Sequence, residues 1–304
     1  MPSNIIVVTG PTATGKTALG IVLAKQYNGE VVSADSMQIY KRMDIGTAKP
    51  TPEEIGDIPH HMIDIVDPAD SYSVAQYVED AAACVDDILA RGKLPIIVGG
   101  TNLYIDSLIS GRTFADQPGD PAVRQALLDR YDEIGGDAMR QELAAVDPER
   151  AEKLHPGDKR RIVRALEVFR LTGKTITQHD AETRLLPPRY NATQFALTFT
   201  DRARLYDRIN RRVDIMVETG LFDEVRTLLA EGLPAHCTAM QAIGYKEVVR
   251  ALEGKLTDAE AIDLIKQESR RYAKRQLTWL RRNPDLRWIS WETEPDPGII
   301  SQLF

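Results

Sequence analysis

The 304 residues are 43% hydrophobic and 27% charged, the balance of a soluble globular chain with a buried core and not of a disordered one. No run reaches the 18 or so uncharged apolar residues of a membrane helix, and the first residues lack a basic stretch followed by an apolar one, so neither a membrane span nor secretion is expected. The two cysteines, Cys84 and Cys237, cannot supply a four-thiolate zinc site and suit a reducing cytoplasm.

The net charge of −7 is unevenly spread. Residues 1–110 hold 7 Lys/Arg against 14 Asp/Glu, while the rest is neutral. Within that neutral part, 155–174 carries six basic and two acidic residues, and 266–282 carries seven and one. A locally basic face on an acidic protein can still meet a polyanion, although two solvated helix faces would look the same.

In chain order, Ile5-Ile6-Val7-Val8 is a short apolar run ending at Gly10, the pattern of a parallel strand buried on both faces. A helix is expected over 16–27, a second strand over 30–34, and a third over 94–98. Between the last two, Val74, Tyr77, Val78, Ala81, Val85, Ile88 and Leu89 recur at helical spacing, with Gly92 as a stop and Cys84 on the apolar side. Near Pro118-Gly119-Asp120-Pro121 the pattern changes to helices and turns without a strand, up to Pro187-Pro188. There Asp158 is expected to cap a helix running to Leu171, with Gly173 past its end. The stretch 195–199 returns to the sheet. The final third reads as helical, with Leu205, Ile209, Val213, Met216 and Val217 on one face and a Thr257/Glu260 capping box opening a long helix towards Leu280.

The strongest local signal is Gly10-Pro11-Thr12-Ala13-Thr14-Gly15-Lys16-Thr17, placed between strand and helix. In this pattern backbone N–H groups converge on phosphate oxygens, Lys16 neutralises the terminal phosphate, and the Thr17 hydroxyl holds Mg²⁺. The fold expected is α/β: a P-loop NTPase-like parallel sheet flanked by helices, with residues 1–114 and 189–304 as the catalytic core and 115–188 as an all-helical insertion domain. An ATPase presents a second apolar strand ending in Asp. Here the run at 95–98 ends in Gly99-Gly100-Thr101, and the carboxylate at an early strand end is Asp35. Strand C-termini line the crevice of such sheets, so Asp35 and Thr101 both approach the phosphate loop. Asp35 there serves as metal support, as general base, or as a cap for the next turn.

The chain also resembles a known family along nearly its whole length, the tRNA dimethylallyltransferases or tRNA isopentenyltransferases. The blocks that carry the resemblance are residues 10–17, Asp35-Ser36-Met37-Gln38-Ile39-Tyr40, Met43-Asp44-Ile45-Gly46-Thr47-Ala48-Lys49-Pro50 and Pro59-His60-His61-Met62-Ile63-Asp64. They continue with residues 98–104 and 155–162, Ile243-Gly244-Tyr245-Lys246-Glu247 and residues 273–279. Two positions depart from the pattern: Asn102 stands where the family has Gly, and Gly157 where it has Asn.

The resemblance implies a prenyl transferase that moves a dimethylallyl group from its diphosphate to N6 of the adenine on the 3′ side of the anticodon in tRNA. It implies Asp35 as the base that accepts the N6 proton. It also implies Lys16, Thr101 and Arg212 at the diphosphate, and Gln38 as a reader of the flipped base. For tRNA it points to Asp35, Ser36, Met37 and Gln38 around the base. The remaining contacts are Arg124, Lys159, Arg160, Arg161, Ile162, Val163 and Arg164 in the insertion, with Lys274 and Arg275 near the end. The expected cofactor is Mg²⁺, and the expected partners are the tRNA anticodon stem-loop and dimethylallyl diphosphate, with a cytoplasmic monomer as the working form. His60 and His61 look like metal ligands but have no partner at suitable spacing. Rival expectations are an adenylate isopentenyltransferase acting on a free nucleotide, an ATP-dependent kinase, and an RNA-binding protein without catalysis.

Overall fold

The computed structural model describes residues 3–111, 120–296 and 298. The first half runs β1 (Ser3–Thr9), α1 (Lys16–Gln26), β2 (Gly29–Ser33), α2 (Pro52–Ile55), β3 (His60–His61), α3 (Val74–Ala90), β4 (Leu94–Val98) and α4 (Asn102–Ser110). Then come α5 (Pro121–Val146), α6 (Pro148–Glu152), α7 (Lys159–Thr172) and α8 (Ile176–Arg184). The chain continues as β5 (Tyr190–Phe199), α9 (Arg202–Glu218), α10 (Leu221–Ala230), α11 (Tyr245–Leu252), α12 (Asp258–Leu280) and β6 (Arg287–Trp291). These elements form two compact units, one of Met1–Ile109 with Arg189–Phe304 and one of Ser110–Pro188. The expected changeover at 114/115 and the Pro118-Gly119 turn lie outside the described residues.

In the larger unit six parallel strands are ordered β3-β2-β4-β1-β5-β6. Val8, Val31, Ile96 and Leu197 pack with Leu19 and Leu23 of α1, Leu205 and Ile209 of α9, and Ala273 and Leu277 of α12. Val7, Val32 and Ile97, which alternate with them along the strands, are fully buried as well. Both faces are therefore covered, which is why the strands are written as unbroken apolar runs. A fully buried leucine such as Leu19 stabilises the fold by about 1.5–3 kcal/mol. The order places the C-terminal ends of β1, β2 and β4 side by side, and the loops that follow them build the site.

Two strands escape the expectation. β3 is two residues long, and β6 is an edge strand whose residues 287–290 are exposed or half-buried, so neither carries an apolar signature. β6 corrects the all-helical expectation for the final third.

The smaller unit is helical. Leu127, Met139 and Leu143 of α5 meet Ile162, Val163 and Leu166 of α7 in its core. Gly135 interrupts α5 with φ 82° and ψ 165°, a conformation closed to residues with a Cβ, so the helix bends there. Asp158 precedes α7 but makes no side-chain cap; its carboxylate accepts from the His155 N–H at 3.0 Å instead. Gly173 ends the helix in the left-handed region as expected.

Candidate active site

The phosphate loop leaves β1 at Gly10, whose φ is 144° and where a Cβ would stand 2.5 Å from the Leu197 carbonyl oxygen, too close to be admitted. Pro11 is buried and has no N–H; its carbonyl accepts from Thr14 Oγ1 at 2.8 Å and from Lys16 Nζ at 2.8 Å. Three distant side chains hold the loop from outside. Arg208 Nε donates to Ala13 O at 3.0 Å, Trp291 Nε1 donates to Thr14 O at 3.0 Å, and Gln276 Oε1 accepts from Thr12 N at 3.1 Å. The backbone N–H groups of residues 13–17 have no acceptor among the described residues. They are donors set at the start of α1, where its dipole also favours an anion.

Around these donors the structure brings Lys16, Asp35, Thr101 and Arg212 together. Burial and the nearby Arg212 guanidinium lower the Lys16 ammonium to about 7, with the Asp35 carboxylate acting in the opposite sense. Burial also lowers Arg212, again opposed by Asp35. Neither cation has a carboxylate within 4 Å among the described residues, so their field is left for an incoming anion. Asp35 follows β2, and its Oδ1 accepts from the backbone N–H groups of Met37 at 2.8 Å and Gln38 at 3.3 Å. It is thus a turn cap and a site carboxylate at once. Thr101 Oγ1 accepts from Ser36 N at 3.0 Å, which ties the β4 loop to the β2 loop.

The wall next to Asp35 is built by residues 36–48. The Gln38 amide is already engaged: Oε1 accepts from Ser33 Oγ at 3.3 Å, and Nε2 donates to Thr47 O at 3.3 Å and Ala48 O at 3.1 Å. Gln38 therefore braces a loop in this structure, and reading a base would require it to release those carbonyls. Met37 is half-buried and Tyr40 is in the core. The loop itself hangs on Glu224 of α10, whose carboxylate accepts from the N–H groups of Asp44, Ile45 and Gly46 at 2.8, 2.7 and 3.1 Å and from the Tyr245 hydroxyl at 2.5 Å.

The residues expected to meet tRNA fare unequally. Arg160 and Arg161 are exposed and have no ion pair among the described residues, and the same is true of Lys274 and Arg275 on α12. Arg124 and Arg164 both bind Glu167, a fully buried carboxylate that needs cationic partners, at 3.0 and 2.9 Å. Lys159 pairs with Asp132. Ile162 and Val163 have their side chains in the core of the smaller unit, so those side chains touch no RNA. Among the metal-like residues, His61 Nε2 lies 2.8 Å from Glu30 and His60 Nδ1 lies 2.8 Å from Ile58 O. Both belong to the packing of the sheet edge.

The sequence reading missed the loop-holding roles of Arg208, Gln276 and Trp291, and the phenol of Tyr272. Burial pushes that phenol up to about 12, while hydrogen bonds to Thr101 and Gln276 act the other way. Thr12 and Gln276 are 264 residues apart, and no spacing rule links such positions. Asn102 is at a helix start without positive φ; its Oδ1 accepts from Thr9 Oγ1 at 3.4 Å, so its tolerance of left-handed geometry is not used.

For Mg²⁺ the fit is of a particular kind. Among the described residues no three His, Cys, Asp or Glu side chains gather as a cage. Thr17 Oγ1 makes no hydrogen bond there, and Asp35 keeps one carboxylate oxygen without a partner. One hydroxyl and one carboxylate suit an ion that takes few protein ligands and completes its shell with phosphate oxygens and water.

Residues 38–283 match the IPP transferase family, and residues 3–65 match the isopentenyl transferase family. A tRNA dimethylallyltransferase of Carboxydothermus hydrogenoformans is 51% identical over 303 residues, covering 100% of this chain and 97% of its own length. The solved full-length tRNA isopentenylpyrophosphate transferase of Bacillus halodurans superposes with a TM-score of 0.74 at 43% identity, covering 100% of this chain and 94% of that one. A eukaryotic dimethylallyltransferase acting on tRNA superposes with a TM-score of 0.78 at 31% identity, covering 95% and 74%.

Proposed function

Since the chain belongs to the IPP transferase family of tRNA dimethylallyltransferases, we propose that its own residues divide the prenyl transfer as follows. The acceptor is N6 of the adenine on the 3′ side of the anticodon, and the donor is dimethylallyl diphosphate. The adenine N6 lone pair is delocalised into the ring, so the amine is a weak nucleophile. Asp35 accepts a hydrogen bond from N6 and then its proton as the new N6–C1 bond forms and the C1–O bond to diphosphate breaks. Lys16, Arg212, Thr101 and the N–H groups of residues 13–17 hold the departing diphosphate and stabilise the charge it gains. Thr17 would hold Mg²⁺, which when bound would supply further charge neutralisation to the leaving group.

The observation that carries this reading is the meeting of two unpaired cations, Lys16 and Arg212, with one carboxylate, Asp35, beside a phosphate loop. β4 ends at Val98 and runs into Gly99-Gly100-Thr101 with no acidic residue, so β4 does not offer the metal-supporting carboxylate of a phosphoryl-transfer site. Exposed Arg160, Arg161, Lys274 and Arg275 supply phosphate contacts for the anticodon stem-loop, whose unpaired bases leave their stack at a cost of only a few kcal/mol. No helix among the described residues is long and apolar enough to cross a membrane, and the proposed setting is a cytoplasmic monomer.

The test is direct. Purified protein, Mg²⁺, dimethylallyl diphosphate and unmodified tRNA should yield N6-prenylated adenosine next to the anticodon and free pyrophosphate, with AMP and ATP as control acceptors. Product on AMP alone would move the assignment to a free-nucleotide transferase, and γ-phosphate loss from ATP would move it to a kinase.

A further inference from the structure

One end of the phosphate loop is closed by a side chain from α12. Gln276 is 4% exposed; its Oε1 accepts from Thr12 N at 3.1 Å and its Nε2 donates to Gly100 O at 2.8 Å. The two partners fix the orientation of the amide, since one can only donate and the other can only accept. Nε2 also lies 2.4 Å from where a Cβ on residue 100 would stand, so only glycine there lets the amide in. Tyr272, one turn earlier on α12, has its phenol beside Gln276 and Thr101.

The position of this amide along the loop has a chemical meaning. In strand–loop–helix phosphate sites the lysine reaches the terminal phosphate, while the amides towards the helix cradle the inner ones. Lys16 Nζ lies 2.8 Å from Pro11 O, which marks residues 11 and 12 as the terminal-phosphate end. Pro11 offers no N–H, and Gln276 takes that of Thr12. Donors remain at residues 13–17. A phosphate beyond them would meet the Gln276 amide oxygen, itself an acceptor, in place of a free N–H.

We propose that Gln276 limits this site to a diphosphate, by holding the Thr12 amide and closing the loop against a third phosphate. The proposal rests on the reading that the loop binds a prenyl diphosphate, and it explains how a nucleoside-triphosphate signature can serve that donor.

The experiment titrates the full-length protein calorimetrically with pyrophosphate and with inorganic tripolyphosphate, both with Mg²⁺. Wild type should bind pyrophosphate more tightly. Gln276→Ala frees the Thr12 N–H and the space beside it, and the preference for pyrophosphate should shrink about tenfold, the scale of one hydrogen bond to a charged group. Gln276→Glu keeps the size and the Thr12 bond but adds a negative charge, so it should widen the preference. An equal affinity of wild type for both probes, or a ratio unchanged in the variants, overturns the assignment. If the alanine variant does not fold by circular dichroism, the glutamate variant decides alone. Prenylation of tRNA by wild type is scored separately: its failure overturns the donor reading, whereas an unchanged ratio with active wild type overturns only the role of Gln276.

Discussion

The cations beside the phosphate loop and those along α7 are the same residue types with opposite fates. Lys16 and Arg212 are half-buried; burial lowers both, with Arg212 adding to the effect on Lys16 and Arg208 to that on Arg212, and neither has a carboxylate within 4 Å among the described residues. On α7 and facing it, Arg124 and Arg164 are held by Glu167, and Lys159 is paired with Asp132. A buried unpaired cation is costly to the fold and is kept where a ligand supplies the missing anion. A cation tied to a buried carboxylate serves the fold first. Charge density along the chain does not tell these apart, because the deciding carboxylates come from other turns and other helices.

The largest expected effect tests the core side of this contrast. Asp35→Asn keeps the size and one acceptor for the Met37 and Gln38 amides but cannot take a proton. Turnover should fall by about 10²–10⁴ while tRNA affinity, measured by filter binding, stays near wild type. Near-normal turnover would leave Asp35 as a turn cap only. Next is Lys16→Ala, expected to lower kcat/KM by about 10²–10³ and to weaken pyrophosphate binding, since it removes a preorganised charge from the leaving group. Steady-state kinetics with an excess of tRNA would show it, and activity should also vanish when Mg²⁺ is chelated.

Two smaller effects sharpen the contrast on α7. Counting all basic residues there, one would expect Arg160, Arg161 and Arg164 to contribute alike. With Arg164 engaged by Glu167, replacing Arg160 and Arg161 together by Ala should lower the log–log salt slope of tRNA binding by up to about 1.4, at about 0.7 per phosphate contact. An unchanged slope would shift the RNA surface to Lys274 and Arg275. Arg164→Ala should do the reverse, leaving the slope alone and destabilising the smaller unit by about 1–3 kcal/mol, because Glu167 stays buried with one partner fewer. A melting curve identical to wild type combined with a shallower slope would show that the Glu167 pair is dispensable and that Arg164 faces RNA after all.

Local pattern and backbone demands were legible in the chain itself. Ile5-Ile6-Val7-Val8 reads as a strand covered on both faces, and Gly10 through Thr17 carries the strand-to-helix pattern of a phosphate loop; the strand and the helix are both there. The helices starting after Ser73 and Thr257 announce themselves by capping boxes that involve neighbours three residues apart. Asp35 and Thr101 followed from the rule that strand ends line the crevice. The edge strand β6 did not show, since an edge needs apolar residues on one face at most and Arg287-Trp288-Ile289-Ser290-Trp291 has no clear alternation. Tertiary structure alone decided that Gln276, Arg208 and Trp291 would hold the phosphate loop, that Gln38 would brace the 47–48 carbonyls, and that Glu167 would take Arg124 and Arg164 out of the exposed set. The physical reason is one of range. Propensity, capping and periodicity act over a few residues, whereas a buried donor or acceptor takes whichever partner the packed fold delivers, from any distance along the chain.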